Sequence, residues 1–157
     1  LNELAFVPVD ANPDAMRDEW SGDVGCGVKY FSQDSVIKLA PAAGINLSPD
    51  LSPAEKLKEV QKLMEIPGSP AEGIYRSIGV YLGHSLALYH SFYGFKHVLL
   101  LGRVMSGRGG DIILETAKRV LDDEYPEIAG GLNVSLPDEK SRRVGQSVAA
   151  ASLPELN

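Results

Sequence analysis

Glycine, arginine and serine gather in one phrase of this chain, His97-Val98-Leu99-Leu100-Leu101-Gly102-Arg103-Val104-Met105-Ser106-Gly107-Arg108-Gly109-Gly110-Asp111. An apolar run, a glycine-rich turn and a helix start follow one another in it. That order aims backbone N–H groups and the positive end of a helix at one point, which suits a phosphate or another anion. Ligands of open α/β sheets bind at the carboxyl ends of strands, where this turn lies. Its glycines do not keep the Gly-x-Gly-x-x-Gly spacing and no Gly-Lys-Ser/Thr follows, so it is neither a Rossmann fingerprint nor a P-loop. Spacing alone leaves two readings open, a ligand-binding turn and a structural corner. Arg103 is then either a phosphate or ring contact or a solvated side chain.

Other chemistry is sparse. Glu3, Asp10, Asp14, Asp18, Glu19 and Asp23 make an acidic N-terminal stretch. A carboxylate at a strand end can accept hydrogen bonds from two sugar hydroxyls, although a charge-rich loop is more often simply solvated. Cys26 has no histidine or second cysteine near it in sequence, which leaves a nucleophilic or zinc role without support. His84, His90 and His97 form no metal motif and read as packed or surface histidines. No Gly-x-Ser-x-Gly elbow occurs, so a serine triad has no footing.

The 157 residues fit one domain or one lobe of a larger protein. A net charge of −6, from 15 basic and 21 acidic side chains, argues against a nucleic-acid footprint or an anionic membrane surface. Arg103, Arg108, Arg142 and Arg143 could still build a local anion site. A single cysteine allows no internal disulfide and suits a cytoplasmic or other reducing compartment. No apolar run approaches the roughly 20 residues of a membrane span, and no signal peptide is visible. The chain opens on Leu1 in a strand-like phrase, which reads as a fragment of a longer polypeptide.

These residues need elements to hold them. Leu4 to Val9 reads as a short strand and Trp20 to Lys29 as a loop. Ser32 to Leu39 suffices for a short helix, and Pro41 to Pro49 is a linker. Ser52-Pro53-Ala54-Glu55 is a capping-box helix start, predicting a helix over 53–65 that stops at Pro67-Gly68. A nearly apolar helix is expected from Pro70 to about Tyr93, buried on most sides and ended by Gly94, with Gly79 and Gly83 allowing a close neighbour. Val98 to Leu101 reads as a buried strand in the middle of a parallel sheet. A helix follows from about Gly110 to Asp123, then a strand over 132–136 and a small-residue helix over 141–152. A strand–helix–strand crossover makes the fold class α/β.

Several phrases, in order, resemble the ROK family (repressors, open reading frames and sugar kinases) of the actin/hexokinase-like superfamily. Asn2-Glu3-Leu4-Ala5-Phe6-Val7-Pro8-Val9 resembles the family's Glu-x-Gly-His phrase. Gly25-Cys26-Gly27-Val28-Lys29-Tyr30-Phe31-Ser32 resembles the end of its cysteine-rich motif and the Tyr-x-Ser that follows. Tyr81-Leu82-Gly83-His84-Ser85-Leu86-Ala87 resembles the helix before the nucleotide-site strand. Leu99-Leu100-Leu101-Gly102-Arg103-Val104 resembles the apolar strand with its Gly-Gly-Val turn, and Gly145-Gln146-Ser147-Val148-Ala149-Ala150-Ala151 the closing helix.

The resemblance covers nearly the whole chain and implies the C-terminal portion of a sugar kinase, one part of an actin/hexokinase-like lobe with a helical segment before the nucleotide-side strand. It implies ATP and Mg²⁺ as cofactors and a hexose as substrate, with Glu3 accepting hydrogen bonds from the sugar. Gly102, Arg103, Ser106 and Gly109 would line the nucleotide side. The family's catalytic aspartate and first phosphate loop lie upstream of the matching region, so this chain alone is expected to be inactive. No nucleic acid is expected to bind through it, and self-association stays open. Departures are clear: Phe6 stands at the family's histidine, Val28 at the carboxylate after the last cysteine, and Arg103 at the second glycine. Of the zinc cysteines only Cys26 is present, with Glu19 and Ser21 near the other positions, so no zinc is expected. Those losses suit an alternative reading, a non-catalytic sugar-sensing or scaffold relative.

Overall fold

The computed structural model describes residues 4–137. Its elements run α1 (Gly27–Tyr30), α2 (Gln33–Leu39), α3 (Pro53–Leu63), α4 (Ala71–Tyr93), β1 (His97–Leu99), α5 (Gly107–Glu124), α6 (Pro126–Ala129) and β2 (Asn133–Ser135), with 3₁₀ turns at Leu4–Phe6, Pro41–Ala43 and Arg103–Met105. The described part is mixed α/β and mostly helical. Its one sheet pairs β1 with β2 in parallel, His97 opposite Asn133 and Leu99 opposite Ser135. The predicted strand–helix–strand crossover is therefore present as β1–α5–β2.

The packing of α4 on α5 organises the molecule, and glycine makes it. A Cβ added at Gly79 would lie 2.6 Å from the Thr116 side chain and 2.9 Å from the Ile113 carbonyl. One at Gly83 would lie 2.6 Å from Val120. On the other helix, a Cβ at Gly109 would stand 2.4 Å from the Tyr75 ring. These contacts advance in step along both helices, so α4 and α5 run parallel, the chain returning between them along β1. Around this seam lie Ile74, Ile78, Leu82, Leu86, Ile112, Ile113, Ala117 and Leu121, with Val134 of β2 closing one end of the cluster.

Helix α3 starts as its sequence demands. The Ser52 Oγ accepts from Glu55 N while the Ser52 N donates to Glu55 Oε2 at 2.8 Å, and Pro53 fills the first helical position. Leu57, Val60 and Met64 face the core. Ser52→Ala removes the Oγ that accepts from Glu55 N and donates to Glu55 Oε2, keeps the backbone N–H half, and is expected to lower stability by about 1 kcal/mol in a urea titration.

Several expectations need correction. The Leu4–Val9 phrase is not a strand: its start is a 3₁₀ turn, and only Pro8 bridges, to Cys26. Pro8 has no N–H to extend a ladder. The loop at 20–29 ends in helix, because α1 begins at Gly27. Helix α5 begins at Gly107 rather than near Gly110. Finally, β1 is not buried in mid-sheet. Among the described residues it has one neighbour strand, and Leu99 and Leu101 are more than half exposed.

Helix α4 matches its predicted span and ends at Gly94 in the left-handed region (φ 57°), but it is not buried on most sides. Val80, Tyr81, His84, Leu88 and Phe92 follow one another along an exposed face. The periodicity of Ile74, Ile78, Leu82 and Leu86 marked the inner face, and the apolar residues of the outer face hid the contrast. The helix expected over 141–152 lies outside the described residues.

Candidate functional site

The corner between β1 and α5 is built from two backbone requirements. Leu100 N donates to Ser135 O at 2.9 Å, which ends the ladder. Gly102 then takes φ 120° and ψ 165°, a conformation that L side chains rarely adopt. The 3₁₀ turn Arg103–Met105 buries Val104 and Met105, and Gly107, at φ 63°, opens α5. Ser106 occupies the N-cap position, yet its side chain makes no capping hydrogen bond. The first N–H groups of an 18-residue helix are therefore uncapped by that hydroxyl.

These groups border a cavity of about 440 Å³. Ser106, Gly107, Arg108 and Gly109 form one side, and Lys58, Gln61 and Lys62 of α3 with Met64 and Glu65 just after it form the other. Gln61 clamps the two sides together, its Nε2 donating to the Arg103 carbonyl at 2.9 Å. Lys58 and Lys62 sit one helical turn apart, and neither joins an ion pair among the described residues. Two ammonium groups, a hydroxyl and a positive helix end thus face one space against the single carboxylate of Glu65. Such a space attracts an anion.

The four residues predicted for the nucleotide side meet different fates. Ser106 and Gly109 line the cavity. Gly102 sets the turn and has open space where a Cβ would be. Arg103 contributes its carbonyl to Gln61 while its side chain is exposed outside the cavity lining. Gly109 has a further reason to be glycine, the Tyr75 ring behind it. Arg108 is committed elsewhere: it pairs with Glu72 and reaches the Met64 carbonyl at 3.4 Å, tying α5 to α3 and α4. Glu72 also accepts the Gly68 N–H at 3.1 Å, and this bond, ahead of the Arg108 charge, holds its carboxyl below the ordinary range. Lys58, Gln61 and Lys62 were read in sequence only as the polar face of α3. Their spacing of three and four residues is the signal that could have marked them.

Glu3, the predicted sugar contact, lies outside the described residues, as do Arg142 and Arg143. The loop after it holds itself closed without a cysteine pair. The Asp18 Oδ2 accepts the N–H groups of Ser21 (2.7 Å) and Trp20 (3.2 Å), and the Ser21 bond leads in keeping this carboxyl acidic. Lys29, almost wholly buried, donates to Glu19 and Asp34 at 2.6 Å each. Burial pushes its ammonium down, but hydrogen bonds to Asp34 and Glu19 outweigh that and carry it above its ordinary value. Phe6 packs on Trp20 with ring centroids 5.6 Å apart. Cys26 is fully buried, and burial pushes its thiol up, away from the reactive thiolate.

Of the histidines, His84 is exposed with its Nδ1 2.9 Å from the Tyr125 hydroxyl, His90 is half-buried and meets Phe95 edge-on, and His97 is exposed, within the expected range of packed or surface histidines. Among the described residues no group of three or more histidine, cysteine or acidic side chains could hold a metal, and no helix is long and apolar enough to cross a membrane. Compared with known proteins, the chain matches no family model and no curated protein.

Proposed function

We propose that the β1–α5 corner is the phosphate side of a nucleotide site, and that the complete protein transfers a phosphoryl group from ATP to a hexose hydroxyl, as the ROK resemblance implies. One observation carries the reading: a helix start that Ser106 does not cap and two lysines without an ion pair among the described residues border the same cavity. In it, backbone N–H groups of the first α5 turn and the Ser106 hydroxyl donate to phosphate oxygens, and Lys58 and Lys62 supply the countercharge. The exposed Arg103 offers a planar cation to the purine or to a phosphate. Bound with Mg²⁺, ATP supplies the transferable phosphoryl group. Among the described residues Glu65 is the one carboxylate lining the cavity and would be the residue there able to hold the Mg²⁺, which would supply charge neutralisation to the phosphates. Glu3 receives the sugar. The actin/hexokinase-like lobe belongs to this proposal, as does a reducing, cytoplasm-like compartment suited to the buried Cys26 thiol.

Calorimetric titration of the chain with ATP or ADP tests the corner directly. Saturable binding is expected, weakened about tenfold by Lys58→Met or Lys62→Met through loss of one charge-assisted bond. No saturation by either nucleotide sinks the nucleotide reading. With the complete protein, ADP release over a panel of hexoses reads the activity, and Glu3→Gln should lower it. Phe6 packed on Trp20 and the buried Cys26 favour a second reading, a sugar-sensing or scaffold protein without turnover. Hexose binding that Glu3→Gln weakens, with no ADP release, decides for it.

A further inference from the structure

A second cavity, of about 340 Å³, lies between the N-terminal loop, α2 and α4, and shares no residue with the corner. Tyr30 and Tyr81 line it as a ring pair, centroids 5.1 Å apart and tilted by 37°. Tyr30 is buried, whereas Tyr81 is 39% exposed, so one ring presents its surface to the cavity mouth while the other backs it. Asp10 is fixed beside them: its Oδ2 accepts the Tyr30 hydroxyl at 2.6 Å and its Oδ1 accepts the Asn12 N–H at 2.8 Å. Each of those oxygens keeps a lone pair for a ligand. Lys38 stands on the other side, its ammonium making one long contact of 3.4 Å to the Asp14 carbonyl and keeping further N–H groups to donate.

The charges restrict the occupant. Asp10 and Asp14 oppose an anion, and Lys38 opposes a cation. A hydroxyl both donates and accepts, so a neutral molecule bearing several of them can bond to the carboxylate, the ammonium and the Asn12 amide at once. Its C–H face would cover the tyrosine carbons, removing apolar surface from water. The volume falls at the small end of ligand pockets, which suits one ring rather than two.

We propose that this cavity binds a neutral, polyhydroxylated ring of monosaccharide size, held by Asp10, Asn12 and Lys38 over the Tyr30–Tyr81 pair. The proposal rests on this cavity and stands independently of the kinase reading. Backbone amide NMR shifts of the full chain, titrated separately with glucose, myo-inositol, valine, spermidine and inorganic phosphate, test it. Saturable shifts at Asp10, Lys38 and Tyr81 are expected with glucose or myo-inositol, with a dissociation constant on the order of millimolar. Tyr81→Ala and Lys38→Met should each weaken that binding about tenfold. Lys38 is exposed, so Lys38→Met should leave the melting temperature where it is, and ATP affinity at the corner should not move in either variant. Absence of saturable shifts with both neutral rings overturns the proposal. So does a tighter response to valine, spermidine or phosphate, which would assign the cavity to a zwitterion, a cation or an anion.

Discussion

Gly110→Ala is expected to destabilise the protein by about 3 kcal/mol, the upper end of what a single overpacked methyl costs. An alanine inside a helix is ordinarily worth nearly 1 kcal/mol over glycine, so the sign depends on what the methyl meets. At Gly110 it meets backbone: the Met105 carbonyl oxygen would lie 2.0 Å from the new Cβ and its carbon 2.6 Å away. No side chain can rotate to relieve that contact. The 3₁₀ turn would have to lift off the helix, carrying Val104 and Met105 out of the core. Gly73→Ala is the matched comparison, with nothing within 4 Å and a solvent-exposed place in α4. It should gain about 0.5–1 kcal/mol. Urea titrations of both variants read the difference. A Gly110→Ala chain as stable as its parent would mean that the corner is not the rigid scaffold described above.

Alkali should unfold the protein through its buried tyrosines. Burial first of all pushes Tyr75, Tyr89 and Tyr30 up to about 12, Tyr30 with added help from its bond to Asp10. In the unfolded chain a tyrosine ionises at about 10. The folded values are higher, so the stability each group contributes is fully present below about pH 10 and is lost as pH climbs through about 12. Two units amount to about 3 kcal/mol for the fully buried Tyr75, a large share of a domain's stability, and Tyr89 and Tyr30 act in the same direction. Circular dichroism and phenolate absorbance should therefore change together between about pH 10 and 12. Tyr75→Phe should move that transition upward. Because the Tyr75 hydroxyl is buried with no hydrogen-bond partner among the described residues, the same variant should gain about 1 kcal/mol at neutral pH. Phenolate absorbance that rises well before the fold is lost would show these rings to be open to water.

Sequence reasoning served the local features well. The Ser52–Glu55 box, the Gly94 stop of α4, the spacing of Gly79 and Gly83 and the strand at 133–135 all depend on neighbours in the chain or on one helical face. It failed where a property belongs to the assembled surface. The apolar run at 98–101 signals a strand, but not how many strands flank it or which of its residues meet solvent. The outer face of α4 is apolar in composition and exposed in fact. The corner was recognised from its glycines, yet half of its cavity comes from α3, more than 40 residues earlier in the chain. Gly109 gave a mixed signal, since the aromatic ring behind it explains its type as fully as a ligand in front would. Asp10 and Lys38 carried no sequence cue that they face a common cavity.

The parallel course of α4 and α5 has a kinetic consequence. Two helices joined by a short turn would run antiparallel and could meet early, through contacts close in sequence. Here the pairs along the seam, Tyr75 with Gly109, Gly79 with Thr116 and Gly83 with Val120, are separated by 34 to 37 residues, and the ladder pair His97–Asn133 by 36. The seam needs the connection between α4 and α5 to fold back and the ladder needs closure across α5, so both wait on contacts distant in sequence. Folding of this half of the chain is therefore expected to be slower than that of an antiparallel helix pair of the same size.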